Sequence, residues 1–341
     1  MPDMAENLGL TAAGSLLSIV RDLKRTRVNM AKNAITPRSI ATGEKNITQF
    51  AHDLGSDFAR YGFAVVADHG IPQALIDDAF DRTRRFFALP EDVKRKYLIP
   101  NGGGQRGYTP FGIETAKGAA RADLKEFWHV GRNLPAGHKF ASFMPPNIEV
   151  AEIPDFAAAT YKLYEALDTL GLRILSAIAI YLKLNPHFFD DKVAMGNSIL
   201  RLLHYPPVSP DATGERAGAH EDINVITLLL GAEEAGLQLK DRDGNWLDID
   251  PPPNCVVVNI GDMLQRLTNH TLPSTTHRVV NPGPARAAFP RYSMPFFQHF
   301  ASDYLIETLP GCISPENPNQ YPSPITAHDY LRQRLAEIKL I

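Results

Sequence analysis

GAHEDINVITLLL, residues 218–230, sets a histidine and an aspartate one residue apart at the mouth of a greasy run. If the segment is extended, residues i and i+2 share a face, so His220 and Asp222 converge while Glu221 points the other way. Two good ligands aimed together are half of a metal site. Alone the pattern is weak, because a chain with 11 histidines should contain about one H-x-D match by chance. The bland reading of His220 is a hydrogen-bonded histidine at a strand edge.

The strand character extends on both sides of this stretch. SILRLLHYPP, INVITLLL, GLQLKDRDGNWLDI, NCVVVNIGD, TTHRVVNP and RYSMPFF are short, rich in Val, Ile, Thr and aromatics, and separated by Gly, Pro, Asn and Asp. Strands at this spacing predict a sandwich or jelly roll, not alternating β-α units. The first half reads helical with one early strand, Phe63 to Ala67, between helices that stop near Gly62 and Pro90. From Asp155, a candidate N-cap, Leu163, Leu167, Leu170, Ile174 and Ile178 recur at steps of three and four, the stripe of a long helix lying on something flat. AHDYLRQRLAEIKL predicts a terminal helix. No repeat and no polar linker marks an independent second domain. The expected organisation is a mainly helical region 1–190 with an early strand, a β core over 191–300, and a C-terminal extension with its helix over 301–341, all in one globule.

Bulk properties exclude several classes. At 341 residues with 44% hydrophobic and 21% charged residues and a net charge of -3, the composition is that of an ordinary globular protein, with no basic excess for nucleic acid. Cys255 and Cys312 are far apart and form no C-x-x-C, which argues against a disulfide framework or a thiolate zinc site and suits a reducing cytoplasm. The apolar stretch Leu8 to Val20 follows acidic Asp3 and Glu6 rather than a basic segment, so a short amphipathic helix is expected there, not a leader. The run from Leu170 is broken by Arg173 and closed by Lys183, too early for a membrane span. Gly102, Gly104 and Gly107 match G-x-G-x-x-G, but Pro100 and Pro110 flank them where a dinucleotide site needs a strand and a helix, so a mobile loop is expected.

What changes the odds for His220 lies downstream. Thr275, His277 and Val279 share one face of a β-branched run, so the His277 imidazole can enter the same cavity. His270 is the rival, but its neighbours Asn269 and Pro273 are turn chemistry, and a ligand prefers a rigid strand. Two imidazoles and a carboxylate occupy one face of an octahedron and leave three positions open, which suits non-haem Fe(II) binding substrate groups and O2 together; a hydrolytic zinc site could use the same set. Arg291 and Ser293 then share a strand face, and a guanidinium beside a hydroxyl cradles a carboxylate. Zinc hydrolysis has no need of that cradle, and a lone surface cation is the alternative for Arg291.

With these residues in place the chain resembles the Fe(II)/2-oxoglutarate-dependent dioxygenases, in their isopenicillin N synthase-like branch. The carrying motifs are H-x-D at His220 and Asp222, the distal His277, and R-x-S at Arg291 and Ser293. YGFAVVADHGIP, FFALP, RGYTPFG, DLKEFW, RLLHYPP, GLQL and NIGD support them, and the match covers most of the chain. The resemblance implies an α+β protein built on a distorted double-stranded β-helix, a jelly-roll core backed by the long helix. It implies Fe(II) on His220, Asp222 and His277, and 2-oxoglutarate as co-substrate with its far carboxylate on Arg291, Ser293 and Tyr205. With O2, the co-substrate would be decarboxylated to succinate while a small molecule is hydroxylated, desaturated or cyclised. An oxidase that uses no 2-oxoglutarate, and a non-catalytic β-helix that only binds, are the rival readings. The stretch RVNMAKNAITPRSIATG from Arg27 departs from the family's usual opening strand, and Leu203 stands where some plant relatives carry a polar residue.

Substrate contacts are expected from Arg106, Tyr108, Arg201 and Phe297. The alternatives are loop solvation for Arg106, an ion pair within the protein for Arg201 and core packing for Phe297. His69 and His204 read as satisfied core or turn histidines. The remaining expectations are a cytoplasmic monomer that binds neither nucleic acid nor membrane.

Overall fold

Asn46 opens the first long helix, α1 (Ile47–Tyr61), where its side chain accepts from the Gln49 N–H at 3.2 Å. Phe50, Leu54 and Phe58 form its buried stripe, and Gly62 ends it in the left-handed region at φ 67°. A side chain at Gly62 would also overlap Thr275, so both backbone and space demand glycine. The structure is a computed structural model that describes residues 35–100, 104–113, 123–207, 216–230, 236–281 and 287–337. The helix expected over Leu8 to Val20 lies outside the described residues.

Strand β1 (Arg38–Ser39) is two residues long and runs parallel to β2 (Phe63–Ala67), the early strand expected from the sequence. Helix α2 (Gln73–Phe87) stops before Pro90. Helix α3 (Phe156–Tyr181) buries Leu163, Leu167, Leu170, Ile174 and Ile178, as their spacing predicts, and packs on the main sheet. Asp155 stands at its N-cap position but makes no side-chain cap bond, since its backbone is left-handed at φ 60°. Among the described residues no helix is long and apolar enough to cross a membrane.

The first half contributes two strands that alternation could not reveal, β3 (Gly107–Thr109) and β4 (Glu126–Gly131). All six residues of β4 are buried, so the strand shows no polar side. The loop expected over Gly102 to Pro110 is corrected accordingly: Gly107 starts a strand held against β4, while Gly102 lies outside the described residues.

The later strands of the two main sheets are β5 (Ile199–Tyr205), β6 (Ala217–His220), β7 (Ile226–Leu230), β8 (Leu237–Lys240), β9 (Trp246–Asp248), β10 (Cys255–Ile260), β11 (His277–Val279) and β12 (Arg291–Gln298). Eight strands form one sheet in the order β1-β2-β10-β7-β12-β5-β4-β3, and four form a second, β6-β11-β8-β9. Strands from before and after residue 190 therefore share a sheet. Apart from β1 with β2, the ladders are antiparallel. The result is an α+β fold with a β-sheet core.

This topology corrects the reading of GAHEDINVITLLL as a single strand. β6 ends at His220 in the small sheet, β7 begins at Ile226 in the large one, and the chain crosses between sheets through Glu221–Val225. Helix α4 (Asp262–Leu267) follows β10, and helix α5 (Ala327–Glu337) is tied back to it by Arg334 Nε on Asp262 at 3.0 Å. Residues 338–340 of the expected terminal helix lie outside the described residues.

Candidate metal centre

His220 and His277 are directly opposite each other in the β6–β11 ladder, with ring centroids 4.4 Å apart. His220 Nε2 lies 3.7 Å and His277 Nε2 3.8 Å from the same oxygen, Asp222 Oδ1. One ligand atom from each residue falls within 4.8 Å of the others. Convergence of His220 with Asp222 thus survives, but it comes from the crossover between sheets and not from the alternation of a strand.

The surrounding hydrogen bonds decide which atoms face inward. His220 Nδ1 donates to the Gly218 carbonyl at 2.7 Å, and His277 Nδ1 to the Thr275 carbonyl at 3.1 Å. Each ring spends its N–H outward and turns the Nε2 lone pair toward Asp222. Asp222 Oδ2 accepts from Thr227 Oγ1 at 2.6 Å and Asn259 Nδ2 at 2.8 Å, leaving Oδ1 to the histidines. Gly218 is itself pinned, because its N–H donates to Asp123 at 3.1 Å while Lys125 holds the other carboxylate oxygen at 2.8 Å.

Enclosure and the neighbouring His277 ring push the His220 imidazole below its ordinary value, against the pull of Asp222. Burial works to raise the Asp222 carboxyl, yet His277, His220, Asn259 and Thr227 together hold it below the ordinary range. At neutral pH His220 is therefore a neutral imidazole and Asp222 a carboxylate. With both Nδ1 atoms spent on backbone carbonyls, the two Nε2 atoms and Asp222 Oδ1 face one another, a donor set that a divalent cation completes. The donor set fits Fe(II).

Beside the centre, the inward faces of β4, β5 and β12 carry the other expected residues. Arg291 and Ser293 are buried, with Nη1 and Oγ 3.4 Å apart, and Arg291 lies 5.1 Å from the Tyr205 ring. Arg291 faces Tyr205 across the ladder and Ser293 faces Leu203. Leu203, Tyr205 and Phe127 form a small apolar cluster there. Arg201 donates from Nε to His129 Nε2 at 2.6 Å and lies 4.1 Å from the Phe127 ring and 5.3 Å from Phe297, which is half-buried.

Two expectations need correction. Tyr108 does not join this face: its register with Trp128 turns it toward α2 and α3, where its hydroxyl meets Glu126 and Glu91. Arg106 is not solvated but 1% exposed. The rival histidine, His270, is at φ 62° with Nε2 on the Tyr321 hydroxyl at 2.7 Å, away from the triad. His69 Nδ1 accepts from Ile71 N–H at 3.1 Å and His204 Nδ1 pairs with Glu126 at 2.7 Å, as satisfied histidines should.

Sequence reasoning assigned no role to Thr227, Asn259, Asp123, Lys125 or His129. Thr227 and Asn259 could have been suspected as polar residues inside the apolar runs VITLLL and CVVVNI. A second buried arginine, Arg216, stands 5.9 Å from the Tyr205 ring on a segment with no distinguishing pattern.

Residues 37–152 match the family described as non-haem dioxygenase in morphine synthesis N-terminal, and residues 196–300 match the 2OG-Fe(II) oxygenase superfamily. The chain is 34% identical over 282 residues to the 2-oxoglutarate-Fe(II) type oxidoreductase hxnY of Emericella nidulans, covering 80% of this chain and 79% of that one. It is 33% identical to the proline hydroxylase buaE of Petromyces alliaceus, over 84% and 93% of the two chains. Among solved structures, a 2OG-Fe(II) oxygenase family protein from Caulobacter crescentus is 59% identical with a TM-score of 0.84, over 90% of this chain and all of that one. A full-length Neurospora crassa protein solved in complex with alpha-KG and thymine is 30% identical with a TM-score of 0.79, over 90% and 98%.

Proposed function

The chain belongs to the 2OG-Fe(II) oxygenase superfamily, and from that premise we propose that His220, Asp222 and His277 hold its Fe(II) while Arg291, Ser293 and Tyr205 hold the far carboxylate of 2-oxoglutarate. The protein is an Fe(II)- and 2-oxoglutarate-dependent oxygenase, an oxidoreductase. When bound, iron, 2-oxoglutarate and O2 supply oxidative decarboxylation of the co-substrate to succinate and CO2, coupled to oxidation of a C–H bond.

The protein's own residues contribute geometry and exclusion of water. The carbonyls of Gly218 and Thr275 keep both Nε2 lone pairs directed at the metal position. Thr227 and Asn259 hold the Asp222 carboxylate in one orientation. Arg291 supplies the planar fork for a carboxylate, Ser293 and Tyr205 add hydroxyls, and Phe127 with Leu203 keeps the face apolar. We read the two sheets as a distorted double-stranded β-helix, with residues 1–190 and 191–300 parts of one catalytic unit and 301–341 its C-terminal extension. The substrate in this reading is a small molecule undergoing hydroxylation, desaturation or ring closure, taken by a cytoplasmic monomer that binds no nucleic acid. Arg201 and Phe297 line the substrate side of the iron.

The observation that carries the assignment is the meeting of two imidazole lone pairs on one aspartate oxygen. Relatives named as 2-oxoglutarate-dependent disfavour the oxidase alternative, and a complete ligand set argues against a binding-only protein. Anaerobic Fe(II) followed by 2-oxoglutarate should give a visible charge-transfer band in the wild type, and air should then yield succinate. Arg291→Gln should raise the 2-oxoglutarate needed for the band by at least about tenfold. An unchanged 2-oxoglutarate requirement in that variant would remove Arg291 from the co-substrate site.

A further inference from the structure

Arg106 is among the largest fully buried side chains of the protein, 1% exposed, yet its guanidinium is only partly used. Nη1 donates to the Gln105 carbonyl at 2.7 Å, whereas Nε and Nη2 have no hydrogen-bond partner among the described residues. These two nitrogens form one edge of the planar group, the fork that matches a carboxylate with two parallel bonds. The groups that act on it electrostatically are the phenols of Tyr164 and Tyr161, and no carboxylate is among them. With no counter-ion among the described residues, burial pushes the guanidinium down to about 10.

The position of this cation relative to the iron face follows from the β4–β5 register. A side chain at Gly131 would overlap the Arg106 guanidinium, so the cation lies over Gly131. Phe127, His129 and Gly131 alternate onto one face of β4, opposite Leu203, Arg201 and Ile199. Arg106 is thus one row, roughly 7 Å, beyond the His129–Arg201 pair. Asn197 reinforces the same corner: its Nδ2 donates to Gln105 Oε1 at 3.1 Å, and its buried Oδ1 has no partner among the described residues. A buried cation with one edge unpaired and a buried acceptor without a donor are both costly, and a bound ligand relieves both.

We propose that the substrate of this enzyme carries a carboxylate, that the Nε–Nη2 edge of Arg106 receives it on this face of β4 beyond Arg201, and that Asn197 accepts a donor from the same ligand or its water. The assignment rests on the oxygenase reading of the metal end. Glycine at 131 is what opens the space for the guanidinium, so the specificity is built by two positions distant in sequence.

The test uses the full chain with Fe(II) and saturating 2-oxoglutarate under anaerobic conditions, so that the Arg291 site is filled before any probe is added. Absence of the charge-transfer band at that stage would refute the oxygenase reading itself. Butyrate, benzoate, phenylacetate and phenylpropionate are then each titrated beside their methyl esters, with binding read by calorimetry and by the shift of the band. At least one acid should bind about tenfold or more tighter than its ester. Arg106→Gln and Arg106→Lys should both abolish that preference, the lysine because an ammonium lacks the planar fork. No acid preferred over its ester, or a preference that survives either substitution, would overturn the proposal. Should neither variant fold by circular dichroism, the wild-type acid-against-ester comparison decides alone.

Discussion

Two buried polar clusters, an outer one around Glu126 on β4 and an inner one around Asp222 where the chain crosses between sheets, separate architecture from chemistry. On the helix side of the main sheet, Glu126 accepts from Lys94 at 2.7 Å and from Tyr108, and its other oxygen meets His204 at 2.7 Å. Donors and acceptors match, and the opposite charges of Glu126 and Lys94 lie against each other. In the inner cluster, His220 and His277 spend their hydrogen-bond donors on backbone carbonyls and point lone pairs at one oxygen of Asp222. Burial is common to both. What marks a functional site is an excess of one polarity, which a cation must complete.

The largest expected effect breaks the inner cluster. Asp222→Asn should remove stoichiometric iron from a folded protein, measured by metal analysis after gel filtration, because the amide loses the charge that balances the cation. The matched break in the outer cluster is Glu126→Ala. It removes the buried partner of Lys94, leaving that ammonium only the exposed Glu91 at 3.2 Å, and should cost about 3 kcal/mol of stability in urea melts, with iron retained. Iron loss there equal to that in Asp222→Asn would erase the contrast.

The partners of Asp222 come next. Thr227→Val or Asn259→Ala should lower iron affinity by about 10–100-fold, read by competition with a chelator, with smaller changes in melting. The pH response sharpens the contrast further. Burial lowers to about 4 both His220 and His299, a buried histidine just after β12 whose Nδ1 meets the Phe297 carbonyl at 3.1 Å, so between roughly 6.5 and about 4 the unfolded chain binds more protons. Apo-protein stability should therefore fall as pH drops through that window. Glu126 is depressed instead, by His204, Lys94 and Tyr108 against the opposing effect of burial. Its contribution is present above the unfolded value, about 4.3, and is lost only as pH falls below it. Urea titrations of wild type and Glu126→Ala across the acid range would separate the two windows. The smallest effect expected is that of Glu221→Gln. Glu221 accepts from Thr276 Oγ1 at 3.2 Å outside the ligand set, so iron binding should not change.

The triad and R-x-S were readable in the sequence because their chemistry narrows the residue types, and the helix stripe because α3 buries one side. β4 escaped notice because a strand buried throughout shows no alternation. Tyr108 was misassigned for a related reason: which face it occupies is fixed by the β3–β4 register, and that depends on pairing between segments distant in sequence. The same limit applied to Arg106, whose burial under the turn before β3 has no local signature. Even the pair His220 and Asp222 converged for another cause than expected, a crossing between sheets.

The central claim is that the inner cluster, and not the outer one, holds iron. Crystals grown anaerobically with Fe(II) and 2-oxoglutarate, measured at the iron absorption edge, test it most directly. One anomalous peak is expected about 2.0–2.2 Å from His220 Nε2, His277 Nε2 and Asp222 Oδ1. A peak at His204 and Glu126, or none within bonding distance of all three inner residues, would contradict it.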